Sequence, residues 1–147
     1  MVKPSSRIRY ALTALVDLTL HQPMGPVTVA AIAKRQRIPV QYLEQLFNRL
    51  RRRGIVAAER GPRGGYRLNR LPREIPVSAV YECLENPSGR GNPRGSFSSD
   101  SDPAAAVWKQ VETAVQTTLK ATTLESLAAQ AREKAPSSIR HLFTFHI

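Results

Sequence analysis

The chain has 147 residues, enough for one domain with a core, or for a small domain with an appended oligomerisation element. Its single cysteine, Cys83, excludes an internal disulfide framework and a four-cysteine metal site within one chain. No apolar run reaches the roughly 18 to 20 residues that span a bilayer, so we expect a cytoplasmic protein with no membrane contact.

The positive charge is concentrated in the first half of the chain. The formal net charge is +11; residues 1–76 hold fifteen Lys or Arg against four acids, whereas residues 77–147 hold seven of each. A polyanion is the natural partner of such a half, because basic side chains that neutralise phosphates release counterions. Charge alone leaves open the alternative of a basic surface that meets only solvent.

Three helices are predicted in the first part of the chain. Residues 8–20 have the apolar spacing of an amphipathic helix. Thr28 is an N-cap candidate for a second helix over 29–36, and a third is predicted over 40–53, with Pro39 in its first turn. The three-residue turn between the second and third helices is typical of a helix-turn-helix.

A β-hairpin is predicted directly after these helices. Residues 55–60 and 66–70 have strand composition on either side of the turn GPRGG. A helix-turn-helix followed by a hairpin is the element order of a winged helix. The stretch RGPRGGYRL is not a nucleotide-binding loop, since it lacks the lysine-serine ending and joins two strands instead of a strand and a helix. Tyr66 is expected to pack at the base of the hairpin.

The second half of the chain is predicted to be helical around a polar loop. A helix is predicted over 76–84, and residues 86–102 have the composition of a flexible loop. The apolar side of the helix carries Val77, Val80, Tyr81 and Leu84. Thr122 and Glu125 resemble a capping box that opens a short last helix.

A long helix beginning at Pro103 is predicted to form a dimer. Its narrow apolar seam consists of Trp108, Val111, Val115 and Leu119. Such a seam suits a second helix, although packing back on its own domain is the alternative. The predicted fold is therefore mainly α with a small β-hairpin. It comprises a winged helix-turn-helix domain in 1–85, a flexible loop in 86–102, a dimerisation helix with a short following helix in 103–135, and a tail in 136–147.

The outward face of the third helix carries side chains that read DNA bases. Gln and Asn pair with adenine and Arg with guanine, while a Glu accepts from cytosine. The wing is expected to insert Arg60 or Arg63 into a narrow minor groove, while Arg52 meets the phosphate backbone. The predicted DNA-contact residues are Arg7, Thr28, Pro39, Gln41, Tyr42, Gln45, Asn48, Arg49, Arg52, Arg60, Gly61, Arg63 and Gly65. The alternative is an ordinary solvated helix face.

No catalytic constellation is recognisable in the sequence. His21, His141 and His146 lie far apart in the chain and next to no evident nucleophile. A zinc site made from Cys83 and the last two histidines lacks a recognised ligand spacing. We therefore predict that the chain is not an enzyme and holds no metal.

The segments SRIRYALTALVDLTL and YLEQLFNRLRRRGIV, the second followed by RGPRGGY, closely resemble the IscR/NsrR/CymR family of bacterial winged-helix transcription regulators. The resemblance covers about residues 5–85. It implies a homodimer joined through the long helix, with Arg60 as the wing arginine. We expect this homodimer to bind specific double-stranded DNA sites with two-fold symmetry and to repress transcription from them.

Better-known members of that family carry an iron-sulfur cluster on three loop cysteines. Here the corresponding loop contains no cysteine, and Ala105 stands where the family's histidine ligand is expected, so we predict no cofactor. Two alternatives stay open. One is an iron-sulfur or metal sensor that uses Cys83 with carboxylates such as Glu85, Asp100 and Asp102. The other is a regulator controlled by a bound metabolic enzyme or small molecule.

Overall fold

A computed structural model describes residues 5–85 and 102–134. Its elements are α1 Ser6–His21, α2 Val29–Gln36, α3 Val40–Arg52, β1 Val56–Glu59, β2 Gly65–Leu68, α4 Val77–Glu85, α5 Pro103–Ala121 and α6 Leu124–Lys134. Short 3-10 turns at Gln22–Met24 and Pro72–Glu74 complete these ranges. Within them, the helices are all too short or too polar to cross a membrane. The predicted loop, apart from Asp102, and the predicted tail lie outside the described residues.

Helix α1 lies at the centre of the core. Its N-cap is Ser5, whose hydroxyl accepts a hydrogen bond from the N–H of Ile8 at 3.3 Å. Helices α2, α3, α4 and α6 all pack against it. The side chains that fill the space between these helices include Leu15, Leu18, Ile32, Leu43, Phe47, Leu50, Val80, Leu84 and Leu124. Their burial from water is the main force that holds the helices together.

The predicted helix-turn-helix is present. Arg37 follows α2 in the left-handed region, with φ 55°, and reverses the chain direction. Ile38 is buried, and its N–H donates to the carbonyl of Ala33 at 3.0 Å. Pro39 is the N-cap of α3 and not a first-turn residue as predicted, and α3 ends at Arg52. The rigid turn therefore sets the angle between α2 and α3.

The predicted hairpin is also present, and a third segment joins it. Strands β1 and β2 pair antiparallel, with Glu59 opposite Gly65 nearest the tip. The N–H of Val27 donates to the carbonyl of Tyr66 at 3.0 Å, and the return hydrogen bond measures 2.7 Å. The ring of Tyr66 meets that of Phe47 edge-on, with centroids 5.0 Å apart. Tyr66 thus packs the hairpin on α3, but it lies one pair from the tip and not at the base as predicted.

Two backbone hydrogen bonds connect the end of α5 to the segment before α4. The N–H of Val77 donates to the carbonyl of Thr122 at 2.8 Å, and the N–H of Leu124 donates to that of Ile75 at 3.0 Å. Helix α6 then packs along α1 and buries Leu124 and Ala128. The last described helix therefore shares the core of the winged helix.

The predicted capping box of α6 was one residue out of register. Instead of Thr122 and Glu125, the reciprocal pair is Thr123 and Ser126. The N–H of Ser126 donates to Thr123 Oγ1 at 3.2 Å, and the N–H of Thr123 donates to Ser126 Oγ at 3.1 Å. Ser126 Oγ accepts the hydrogen bond that a glutamate accepts in the usual capping box, and it also donates to the carbonyl of Thr123 at 2.8 Å.

Two further residues of this half are placed in more detail than the sequence indicates. Tyr81 is 36% exposed, because it lies at the edge of the face that α4 buries. Asp102, assigned to the flexible loop, is the N-cap of α5 and accepts from the N–H of Ala104 at 3.0 Å. A carboxylate at this position also stabilises the positive end of the helix dipole.

Candidate nucleic-acid interface

Helix α3 presents a polar face on the side away from the core. Its exposed side chains are Gln41, Glu44, Gln45, Asn48, Arg49, Arg51 and Arg52. Tyr42 differs from the other predicted contact residues because it is half-buried. Its ring meets the ring of Tyr10 at 79°, with centroids 5.6 Å apart. Less of Tyr42 is therefore available to a partner than the sequence alone indicates.

A buried carboxylate fixes the end of α2. Asp17 is only 2% exposed, and it accepts from Arg35 Nε at 3.0 Å, Arg35 Nη2 at 2.6 Å and Gln36 Nε2 at 2.8 Å. His21 Nδ1 lies 3.4 Å from the same carboxylate. Hydrogen bonding to Asp17 raises the pKa of Arg35, although burial by itself lowers it. Because Arg35 and Gln36 directly precede the turn, this network orients the helix-turn-helix on α1.

Sequence reasoning did not identify this network. The available signal was an acidic residue, Asp17, inside the apolar stripe of a predicted helix, directly before Leu18. A carboxylate there needs a charged or hydrogen-bonding partner, because an unpaired charge is rarely buried. The identity of that partner depends on how α2 packs across α1, which local spacing does not reveal.

The glycines at the tip of the wing meet close backbone contacts. The N–H of Gly64 donates to the carbonyl of Gly61 at 2.9 Å and closes the turn. A β-carbon at Gly64 would lie 2.4 Å from the carbonyl oxygen of Glu59, and one at Gly65 would lie 2.7 Å from the backbone of Val27. Gly65 is thus needed for the approach of the hairpin to the segment before α2.

The charged residues of the wing are arranged so that its arginines face solvent. Arg60 and Arg63 are both exposed. The neighbouring acid Glu59 pairs with Arg67, whose Nε lies 2.7 Å from Glu59 Oε1. Arg67 also donates to the carbonyl of Gln22 at 3.2 Å. The negative charge beside Arg60 is therefore offset within the hairpin.

A cleft of about 600 Å³ brings the wing, the start of α2 and α3 together. Five predicted contact residues line it: Thr28, Asn48, Arg60, Gly61 and Gly65. The acids Glu44 and Glu59 also contribute to its walls, whereas Arg63 does not. The Thr28 hydroxyl caps α2 and accepts from the N–H of Ala31 at 3.1 Å. Helix starts of this kind attract phosphate groups.

Other predicted contact residues lie away from this cleft. Arg7 Nη1 donates to the carbonyl of Leu84 at 3.2 Å, and the hydroxyl of Ser5 donates to the carboxylate of Glu85. These bonds connect the start of α1 to the end of α4. Arg52 is exposed at the last residue of α3. Arg7 thus has an internal partner that competes with any external anion.

The seam predicted on α5 is exposed at Trp108 and partly covered along the rest of its length. Trp108 is 58% exposed, and Val111, Val115 and Leu119 are half-buried. Helix α5 packs against α4 and buries no residue fully in the described part of the chain.

The described residues around Cys83 do not fit an iron-sulfur cluster. Cys83 is 3% exposed, and its thiol donates to the carbonyl of Arg49 at 3.4 Å. Burial raises the pKa of this thiol, against the opposing effect of Arg53 and Arg49, whereas metal ligation needs the thiolate. In residues 5–85 and 102–134, no three His, Cys, Asp or Glu side chains group as metal ligands.

The carboxylates considered as co-ligands are engaged elsewhere or lie outside the described ranges. Glu85 accepts from Ser5, and Asp102 caps α5. Asp100 lies outside the described residues. The donor set predicted for a metal sensor is therefore not brought together in the part of the chain that the structure covers.

Comparison with known proteins agrees with this architecture. The "HTH-type transcriptional regulator IscR" of Pectobacterium carotovorum subsp. carotovorum (strain PC1) is 40% identical over 127 residues, which are 84% of this chain and 77% of that protein. The protein of the same name from Aliivibrio salmonicida (strain LFI1238) is 50% identical over 84 residues. That match spans 57% of this chain but only 50% of the relative's length.

Solved structures give the same result. The structure named "T. potens IscR" superposes with a TM-score of 0.78 at 34% identity, covering 94% of this chain and 96% of that one. The structure of "CymR (YrzC) the Global Cysteine Regulator of B. subtilis" gives 0.76 at 34% identity, covering 88% and 98%. These relatives are regulators and not enzymes. The family model Rrf2, described as "Iron-dependent Transcriptional regulator", matches residues 4–130, and the chain therefore belongs to the Rrf2 family of winged-helix transcription regulators.

Proposed function

We propose that the chain is a homodimeric regulator that binds specific double-stranded DNA sites in the cytoplasm and represses transcription from them. The observation that carries this proposal is the cleft in which the wing, the start of α2 and the polar face of α3 meet. It combines exposed amide and guanidinium groups with a helix start, the groups that proteins use for bases and phosphates. The excess of eleven positive charges in residues 1–76 supports the same partner.

Base recognition is assigned to α3 in the major groove. Recognition helices present mainly their N-terminal residues to base edges, which favours Gln41 and Gln45 over Arg49. Glu44 lies between these two glutamines in the sequence. Its carboxylate accepts a hydrogen bond from the amino group of cytosine, and it disfavours a base that presents only acceptors. Tyr42, half-buried against Tyr10, is a weaker candidate for base contact than Gln41 and Gln45.

The wing is proposed to place Arg60 in the minor groove. Arg60 lines the cleft beside α3, whereas Arg63 does not, so a duplex lying along α3 meets Arg60 first. A narrow minor groove concentrates negative potential and attracts an arginine. Gly61, with φ 121° and open space around its α-carbon, lets the backbone of the tip approach the sugar-phosphate edge. Arg63 and Gly65 then flank this contact.

The proposed phosphate contacts surround the base-reading residues. Thr28 offers its hydroxyl and the start of α2, and Pro39 lies at the turn before α3. Asn48, farther along α3, belongs to the base-reading face. Arg52 extends the basic end of α3 along the backbone. Arg7 makes a weaker contribution in this proposal, because it already donates to the carbonyl of Leu84.

The homodimer is proposed to form through α5. The seam from Trp108 to Leu119 spans three helical turns, and pairing it with a second copy removes the exposed Trp108 and the exposed parts of the other seam residues from water. The two-fold symmetry of the dimer then predicts two DNA half-sites that are related by the same two-fold axis. Because Val77 bonds to Thr122 and Leu124 bonds to Ile75, the dimer seam is coupled rigidly to each winged helix.

The regulatory signal is proposed to act without a cluster on Cys83. The protonated, buried thiol and the dispersed carboxylates disfavour a metal centre in the described part of the chain. A bound protein or small molecule is the remaining class of effector. Iron and sulfide analysis of anaerobically purified protein tests this part, and stoichiometric iron would contradict it.

Selection of bound fragments from genomic DNA, followed by footprinting, tests the proposed function. We expect enrichment of a pseudo-palindrome whose half-sites lie one helical turn or a multiple of it apart. A promoter fusion carrying the selected site should lose activity when the protein is present. Uniform recovery of all fragments would contradict specific recognition, and increased promoter activity would contradict repression.

A further inference from the structure

Glu59 brings an acidic residue to the cleft that is proposed to hold DNA. It is the last residue of β1, directly before Arg60, and it contributes to the wall of the cleft. An acid beside a polyanion weakens binding unless its charge is offset, because like charges repel. The other acid of the cleft, Glu44, lies on the polar face of α3 and has a proposed base partner. Glu59 has no such assignment, so its charge needs a different explanation.

The hairpin supplies a partner for Glu59 from its second strand. Gly65 lies directly opposite Glu59 and offers no side chain. Arg67, two residues farther along β2, lies diagonally across on the same face of the hairpin. Its Nε lies 2.7 Å from Glu59 Oε1. The charge of Glu59 is therefore met by a cation that follows the wing tip in the chain.

A second contact fixes the guanidinium of Arg67. Its Nη1 donates to the carbonyl of Gln22, in the 3-10 turn after α1, at 3.2 Å. Gln22 is itself tied to the hairpin, because its side-chain oxygen accepts from the N–H of Leu68 at 2.9 Å. Arg67 is thus held from two sides, and it keeps the carboxylate of Glu59 in one place.

Stability alone does not account for this ion pair. The side chains of Glu59 and Arg67 are 49% and 41% exposed. Ion pairs at such exposure are screened by water and contribute little to the free energy of folding. Neutralising Glu59 matters more to a phosphate backbone that approaches the wing, because an uncompensated negative charge there opposes the binding of a polyanion.

We propose that Arg67 is a positioning residue for DNA binding, which neutralises Glu59 and so leaves Arg60 free to enter the minor groove. Arg67 does not line the cleft and is not among the predicted contact residues. Without it, the carboxylate of Glu59 repels nearby phosphates or pairs with the adjacent Arg60. Either effect weakens DNA binding through Glu59. This inference rests on the proposed function and adds a residue that acts on the wing from outside the contact surface.

A double-mutant cycle on the selected operator tests the inference. Fluorescence anisotropy gives the affinities of the native chain, Arg67→Ala, Glu59→Gln and the double variant, which has the same net charge as the native chain. We expect Arg67→Ala to weaken binding about three- to tenfold, the effect of one unpaired charge several ångströms from a phosphate. Adding Glu59→Gln should restore most of this loss. The gain from Glu59→Gln should be at least about threefold larger in the Arg67→Ala chain than in the native chain.

Arg73 and Glu74 provide the control cycle. Both are exposed in the 3-10 turn before α4, and neither lines the cleft. We expect the effects of Arg73→Ala and Glu74→Gln to multiply independently within about twofold. Raising the salt concentration should reduce the coupling between Arg67 and Glu59, because salt screens exposed charges. A coupling that does not change with salt would assign Arg67 to the shape of the hairpin and overturn the inference.

The cycle separates this inference from the proposed function. Equal losses from Arg67→Ala with and without Glu59→Gln would mean that Arg67 does not act through Glu59. Such a result, or an unchanged affinity of Arg67→Ala, would overturn the inference while specific binding by the native chain still supports the proposed function. If the native chain binds the selected operator no better than random DNA, the proposed function and this inference both fail.

Discussion

Removing either member of the Asp17–Arg35 pair is expected to destabilise the fold by different amounts. The side chain of Asp17 is fully buried, whereas that of Arg35 is 36% exposed. In Arg35→Ala the carboxylate stays in the interior with the hydrogen bond from Gln36 but without its ion pair, and breaking a buried ion pair in this way costs about 3 to 5 kcal/mol. In Asp17→Ala the guanidinium turns to water. The cost is then that of the lost hydrogen bonds to a charged group, about 1.5 to 3 kcal/mol.

Urea unfolding followed by circular dichroism measures both costs at one fixed protomer concentration. Lys34→Ala is the matched control, because Lys34 is an exposed cation on the same helix. We expect this control to change the free energy of unfolding by less than about 0.5 kcal/mol. If Arg35→Ala costs no more than Lys34→Ala, or less than Asp17→Ala, the assigned role of the buried carboxylate is wrong.

Three further changes have defined outcomes. Gly65→Ala should lower the free energy of unfolding by about 1 to 3 kcal/mol, since the new carbon meets the Val27 backbone; unchanged urea stability would contradict the close approach. Arg52→Ala should weaken binding to operator and random DNA alike and reduce the slope of log affinity against log salt by about 0.9; an unchanged slope would exclude a phosphate contact. From about pH 8 to pH 10, stability should fall more steeply in the native chain than in Cys83→Ala, because the folded thiol keeps a proton that the unfolded thiol releases. Parallel stability curves would contradict the raised pKa of Cys83.

Local sequence signals were sufficient for most of the winged helix. Thr28 and the apolar spacing that follows it predicted α2 with correct bounds, because capping and helical periodicity are properties of adjacent residues. The GPRGG turn predicted the hairpin, although the strands begin and end one or two residues away from the expected positions. Neither signal contains the contact of Val27 with Tyr66, because that pairing joins segments far apart in the chain.

The second half of the chain was harder to predict from the same signals. Thr122 and Thr123 are both suitable caps, and the carbonyl of Thr122 pairs with the N–H of Val77 while Thr123 caps α6. The packing of α6 on α1 likewise depends on tertiary contacts, which local signals do not contain. The contact of the predicted residues with DNA stays a prediction, whereas the grouping of five of them around one cleft is visible only in the fold.

The most direct test of the account is the affinity of two variants for the selected operator. Fluorescence anisotropy compares Gln45→Ala and Arg60→Ala with Gln130→Ala and Arg73→Ala, which remove the same side-chain types from α6 and from the 3-10 turn beside it. We expect Gln45→Ala to weaken operator binding by about 1 to 3 kcal/mol, with little effect on the binding of random DNA. We also expect Arg60→Ala to weaken operator binding more than Arg73→Ala does. Operator affinities of Gln45→Ala and Arg60→Ala equal to those of their controls would contradict recognition by α3 and the wing.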